Sequence, residues 1–311
     1  MTLDPAMELA IPVPDRARRA TYQQRLTRRA RDAARTLCVG VDPSPGALAL
    51  LAGIPIGVRG RAGRTTRAGA IERFAGLVIE SARDHAAAIK PQVAWYEAAG
   101  APGIRALERT IEFARTAGLL VVLDAKRGDV PHTAEAYADA WLGDDAANGM
   151  GVDALTVNVS VGVDSLEVMA RVAADRHCAI YALLHTSNPG AAALQSLLLD
   201  DGRTWWEHLA IELAAADARV DGGVVGAVVG ATRPELFTRV RELLPTAPLL
   251  VPGVGAQGGT VDGLAGLDAP GGIAPPSLIV AARSLLPTEP LDTPAFRDAV
   301  ATSARALAGS L

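Results

Sequence analysis

Short apolar runs recur along this chain with room for about one helix between each pair. They fall at Leu37–Val41, Ala88–Val93, Leu119–Leu123, Ala154–Val159, Ala179–Leu184, Val224–Val229, Pro248–Val251 and Leu278–Ala282. Runs this short, without polar alternation, read as strands buried on both faces, as in a parallel sheet. The intervening segments change period. Ile71, Phe74, Val78 and Ala82 form a helical stripe, as do Ile104, Leu107, Ile111 and Ala114. A third stripe, Leu166, Met169 and Val172, follows Asp164 as a candidate N-cap. Leu209 and Leu213 follow Trp205 and Trp206. Thr232-Arg-Pro-Glu opens a further helix through Phe237, Val240 and Leu244, and a last one runs from Asp292 to about Leu307.

Strand and helix alternating eight times predict an α/β fold of the (β/α)8 TIM-barrel type. An open doubly wound sheet would carry a glycine-rich turn after its first strand. Here the first strand is followed by Asp42-Pro-Ser-Pro. Residues 1–15 read as an irregular lead-in. Residues 16–36 read as a basic helix with Tyr22, Leu26, Ala30 and Ala33 on one stripe, closing one end of the domain. The expected division is an N-terminal extension and capping helix over 1–36 and a barrel over 37–311. Gly53–Gly69, with its arginines and glycines, reads as a mobile surface loop, and Gly263–Pro276 as a Gly/Pro-rich insertion before the last strand.

Composition narrows the partners. Of 311 residues, 50% are hydrophobic, which suffices for a large core, and the formal net charge is −4. Without a basic excess, and with only 4% aromatic residues for base stacking, nucleic acid is not the expected partner. Cys38 and Cys178 both lie in or beside apolar runs and read as buried small hydrophobes. Met1 to Pro14 lacks the basic start of a signal peptide, and no run approaches a membrane span. A soluble, cytoplasmic protein is expected.

In a barrel the chemistry gathers where strands end. The third run ends in Asp124-Ala-Lys126-Arg-Gly-Asp129. On a strand, positions i and i+2 share a face, so Asp124 and Lys126 point the same way, and Asp129 can curl back after Gly128. A lysine between two carboxylates is held charged, which suits a cationic acid better than an amine nucleophile. Lys90, inside the second run, is costly to bury alone and calls for pairing with Asp42 and Asp124 at the barrel mouth. The fifth run ends in His185-Thr-Ser-Asn-Pro-Gly190, where Ser187 and Asn188 could read a polar ring. His185 could be a general base, but without an evident partner it reads first as a packed or rim residue. The seventh run ends in Pro252-Gly-Val-Gly-Ala-Gln-Gly-Gly259, whose backbone N–H groups can approach an anion. With Gln257, and with Arg283 after the eighth run, it forms a candidate phosphate site.

Taken together, Asp124-x-Lys126-x-x-Asp129-Val-x-x-Thr133, Lys90-Pro-Gln, Thr186-Ser-Asn-Pro-Gly190, Pro252-Gly-Val-Gly-Ala-Gln-Gly-Gly259 and Arg283 resemble the orotidine 5′-phosphate decarboxylase family, most closely its longer bacterial group, over about residues 36–290. The resemblance implies cofactor-free loss of CO₂ from orotidine 5′-monophosphate to give UMP, no metal, and a homodimer of barrels with sites at the interface. It implies that Lys126 donates the proton, that Asp124 faces the substrate carboxylate, and that Asp42 and Lys90 hold ribose hydroxyls and the charged network. Asp129, Val130 and Thr133 would come from the partner subunit. Ser187 would contact the pyrimidine, while Pro252, Gln257, Gly258 and Arg283 would surround the phosphate. His185 stands where the family carries a basic lysine or arginine, and Ala282 where serine or glycine is more usual. Two other readings remain at this stage: a metal-assisted phosphosugar decarboxylase or aldolase on the same barrel, and a catalytically silent nucleotide-binding barrel.

Overall fold

The computed structural model describes residues 20–311 except 33–35, 54–59, 144–148, 221–222, 256, 265–266 and 268–275. Eight parallel strands close into a barrel in chain order: β1 Leu37–Val41, β2 Ala88–Pro91, β3 Leu120–Arg127, β4 Ala154–Val157, β5 Ala179–His185, β6 Val225–Val229, β7 Leu249–Pro252 and β8 Leu278–Ala281. β1 closes the ring against β8, with Leu37 opposite Ile279 and Cys38 opposite Val280. Closure leaves no sheet edge, so the apolar runs are buried on both faces.

Strand periodicity sorts the side chains into two cores. In β3, Leu120 and Val122 point into the barrel while Val121 and Leu123 face the helices; β4 sorts Ala154 inward and Leu155 outward in the same way. The outer layer comprises α2 Pro45–Ala49, α3 Gly60–Ala82, α4 Val93–Glu97, α5 Gly100–Thr116, α6 Pro131–Trp141, α7 Val163–Asp175, α8 Ala192–Gln195, α9 Trp205–Ala218, α10 Phe237–Leu243 and α11 Thr293–Ser310. Thr204 and Glu207 form a capping box at the start of α9, and Asp292 caps α11.

The basic N-terminal helix is α1, Tyr22–Asp32. It plugs the barrel: Tyr22 and Leu26 are buried with the interior residues, and the Tyr22 and Tyr181 hydroxyls lie 2.9 Å apart. Arg25 forms an ion pair with Asp153 and donates to the His177 carbonyl, tying α1 to the strand starts. The expected lead-in at 1–15 and the flanks of the expected 16–36 helix, Ala33 included, lie outside the described residues.

Several local expectations change. The segment expected as a loop from Gly53 to Gly69 is helical from Gly60 onward, as the first turns of α3; residues 54–59 lie outside the described set. Arginine and alanine favour helix strongly enough to carry the glycines, and Gly63 and Ala68 bury their small side against the core. Asp164 is inside the first turn of α7, whose N-cap is Gly162; its carboxylate accepts from the Ser165 N–H. The helix expected at Thr232 begins as a 3₁₀ turn, Pro234–Leu236, capped by Arg233. β2 ends at Pro91, since Val93 already starts α4. Most of the Gly263–Pro276 insertion lies outside the described residues.

Candidate active site

At the C-terminal ends of the strands opens a cavity of about 300 Å³. Asp42, Lys90, Asp124 and Lys126 line one side, and Ser187, Pro252, Gln257 and Arg283 the other. Leu183, Val228, Leu250 and Val280 give it apolar walls. The arrangement follows from parity: Lys90 is two residues past inward-facing Ala88, Asp124 two past Val122, and Thr156 two past Ala154.

Asp124 is the hub of the charged side. Its Oδ2 accepts from Lys90 Nζ at 2.6 Å and from Gln92 Nε2 at 3.0 Å. Its Oδ1 accepts from the Lys126 ammonium and, at 3.1 Å, from the Thr156 hydroxyl. Burial alone would push this carboxyl up; Lys90 first, then Lys126, overcome that and hold it well below the usual carboxylate range. Burial likewise works against the charge on Lys90, but Asp124 and then Asp42 raise it above its ordinary value. Asp42 makes no ion pair with Lys90 of the kind expected; the residue lines the cavity, and its Oδ1 is buried without a hydrogen-bond partner.

Lys126 does not sit on a regular strand. Its φ is +49°, in the left-handed region, and the β3–β4 register breaks between Leu123 and Arg127. For a residue with a Cβ this conformation costs about 1–2 kcal/mol. Asp124 and Lys126 therefore meet, but across a bulge and not by simple two-residue alternation. The loop beyond it is pinned closely. A Cβ on Gly128 would lie 2.0 Å from the Asn158 carbonyl oxygen, so only glycine permits this approach. The Asn158 N–H donates to Arg127 O at 2.7 Å, and the Ser165 hydroxyl donates to Asp129 O.

Opposite the charged side, the Ser187 hydroxyl donates to Gln257 Oε1 at 2.8 Å. Gly253, with φ +112°, makes room for this: a Cβ there would meet Gln257 Oε1 at 2.9 Å. Arg283 follows β8, is exposed, and has no carboxylate partner among the described residues. Arg283 and, from the turn after β7, Gly253, Val254 and Gln257 line the same opening; the Gly255, Gly258 and Gly259 N–H groups, expected to approach an anion, donate instead to carbonyls within the turn.

Four expected site residues do not line this cavity: Asp129, Val130, Thr133 and Gly258. The expected pairing of Lys126 with both carboxylates is not found within the chain. Asp129 instead accepts from the Val130 N–H at 2.8 Å through its carboxylate and from the Ser165 hydroxyl through its carbonyl. The neighbouring Val130 is 57% exposed, and Val161, in the loop after β4, is 54% exposed. His185 is not at the mouth. A register shift after Leu183 turns it outward against Trp206, with ring centroids 6.4 Å apart, and burial lowers its pKa.

Gln92, offered by the sequence only as the last residue of Lys90-Pro-Gln and without a role, and Thr156, which no motif marked, also line the site. Thr156 was legible as the one polar residue of Ala154-Leu-Thr-Val157. A stronger signal lay in the counts: of 30 lysines and arginines only two, Lys90 and Lys126, are lysines, and both bind the same carboxylate.

The profile of the Orotidine 5′-phosphate decarboxylase / HUMPS family matches residues 20–292. The orotidine 5′-phosphate decarboxylase of Salinispora tropica is 42% identical over 227 residues, covering 71% of this chain and 75% of the relative. A solved structure from Streptomyces avermitilis superposes with a TM-score of 0.76 at 34% identity, covering 94% of this chain and 95% of that one. The OMP decarboxylase of Leishmania donovani superposes at 0.71 with 31% identity, over 93% of this chain and 96% of that one.

Proposed function

The chain belongs to the orotidine 5′-phosphate decarboxylase family, and from that premise we propose that it converts orotidine 5′-monophosphate to UMP in de novo pyrimidine synthesis, with Lys126 as the proton donor. The observation that carries this reading is the Lys126 ammonium against Asp124 on one wall of a cavity whose other wall offers Gln257 and Arg283.

Departure of CO₂ leaves an electron pair at C6 of the pyrimidine, in an sp² orbital with little delocalisation. The Lys126 ammonium stabilises that charge and then transfers a proton to C6. Asp124, facing the substrate carboxylate, raises the energy of the bound carboxylate relative to the carbanion. Asp42 accepts from a ribose hydroxyl, Ser187 reads the ring edge, and Gln257 and Arg283 take the phosphate. Phosphate binding, far from C6, contributes energy that is realised in the transition state.

The site is completed in a homodimer. Asp129, Val130 and Thr133 lie outside this chain's own cavity, and the exposed Val130 and Val161 mark the surface through which they reach a second copy's site. A cytoplasmic enzyme suits this reaction; no helix among the described residues is long and apolar enough to cross a membrane. Residues 37–311 act as one barrel unit, with α1, Tyr22–Asp32, as its cap.

Lys126→Ala should bind UMP yet lose turnover by at least about 1,000-fold, read as the fall in orotidylate absorbance; retained turnover would end the reading. A metal-assisted reaction would need carboxylates that hold Mg²⁺ together with the substrate phosphate. Turnover that collapses in chelator and returns with Mg²⁺ would favour that alternative.

A further inference from the structure

β3 and β4 pair regularly at Val122–Ala154 and Leu123–Leu155, then not again until Arg127–Val157. Between those pairs β3 carries Asp124, Ala125 and Lys126, and β4 carries Thr156 alone. A bulge of this kind takes backbone N–H groups out of the ladder and leaves them needing partners. Here both go to one atom. The Thr156 hydroxyl oxygen accepts from Ala125 N and from Lys126 N, each at 3.0 Å. Its proton goes to Asp124 Oδ1 at 3.1 Å. A hydroxyl has one donor and two acceptor positions, so all three are used, and all on the segment that carries the acid. Thr156 is 1% exposed and has no freedom to turn elsewhere.

We propose that Thr156 is a positioning residue for the decarboxylation: its hydroxyl holds the Lys126 backbone in its left-handed conformation and aims the Asp124 carboxylate at the ammonium group. The inference rests on the reading of Lys126 as the proton donor. The requirement is for the hydroxyl and not for the shape. Valine fills the same volume but leaves two N–H groups without a partner and takes one of the two donors from Asp124 Oδ1, and it frees Lys126 to relax to an ordinary φ. Serine keeps all three bonds. Because the bulge sits where the proton is delivered and not where the phosphate binds, the effect falls on turnover and not on affinity.

The test compares Thr156→Val, Thr156→Ser and wild type in kcat, KM and UMP affinity. Thr110→Val serves as control, since Thr110 is another buried threonine, with its hydroxyl bonded to Ala106 O inside α5, far from the site. Thr156→Val should lose about 10- to 100-fold in kcat with UMP affinity changed no more than about threefold, Thr156→Ser should restore kcat to within about threefold of wild type, and Thr110→Val should lower thermal stability alone. If Thr156→Val is too unstable to purify, Thr156→Ala makes the same comparison. Wild-type kcat in either hydroxyl-less variant, equal losses in kcat and UMP affinity, failure of serine to rescue, or a matching kcat loss in Thr110→Val would each overturn the proposal. If Lys126→Ala is inactive while Thr156→Val is fully active, the positioning role falls alone; if Lys126→Ala is active, the donor assignment falls first.

Discussion

Lys90 Nζ lies 2.6 Å from Asp124 Oδ2 at the mouth of the barrel, with their side chains 7% and 9% exposed. Each charge makes the other tolerable there. Lys126, at 44% side-chain exposure, shares the same carboxylate from the open side of the cavity. One anion thus holds two ammonium groups, one buried and structural in character, the other free to meet a ligand.

Asp124→Asn should expose that dependence. It removes the anion while leaving the Lys90 ammonium buried, a situation that costs about 3–5 kcal/mol in other proteins. Chemical denaturation at neutral pH should show a loss of this size. The Asp124 carboxyl titrates below its unfolded value, so its contribution is fully present above about pH 4 and declines as pH falls toward the folded-state value. The gap between wild type and Asp124→Asn should therefore narrow as pH is lowered below about 4. A gap that widened on acidification would contradict the ion-pair network.

Lysine usage permits a chemical footprint. Lys90 and Lys126 are the only lysines, so an amine-directed reagent on the folded protein should label Lys126 and spare Lys90. Saturating UMP should protect Lys126. Peptide mass mapping reads the outcome, apart from the terminal amine. Labelling of Lys90 ahead of Lys126 would place the wrong amine in the open cavity.

The approach of Gly128 to Asn158 bears on the same bulge. Gly128→Ala puts a methyl group 2.0 Å from a backbone oxygen, which no side-chain rotation relieves. The variant should lose about 1–3 kcal/mol of stability, the usual range for overpacking, and should lower kcat by displacing Lys126. Wild-type melting temperature together with wild-type kcat would show that the contact does not constrain the bulge.

The residue pattern was enough to identify the barrel, its eight strands and the strand ends where the chemistry gathers, because apolar periodicity is local and survives in one dimension. Lys90, Asp124 and Lys126 were legible for the same reason: charge inside or just after a buried run needs a partner. Gln257 and Arg283 were legible as polar groups just past strand ends, and they line the same cavity. Other features depend on neighbours distant in the chain. Thr156 matters because β4 lies beside β3 and the ladder breaks opposite it. His185 faces Trp206 because the β5 register slips. The Asp129 carbonyl meets Ser165, on α7, 36 residues further along the chain. Helical character after Gly60 was hidden by glycine and arginine content and is stabilised by packing of Gly63 and Ala68. Sequence alone determined which residues had to be paired or buried; only closure of the sheet decided with whom, since a hydrogen bond is set by distances that exist only once separate strands meet.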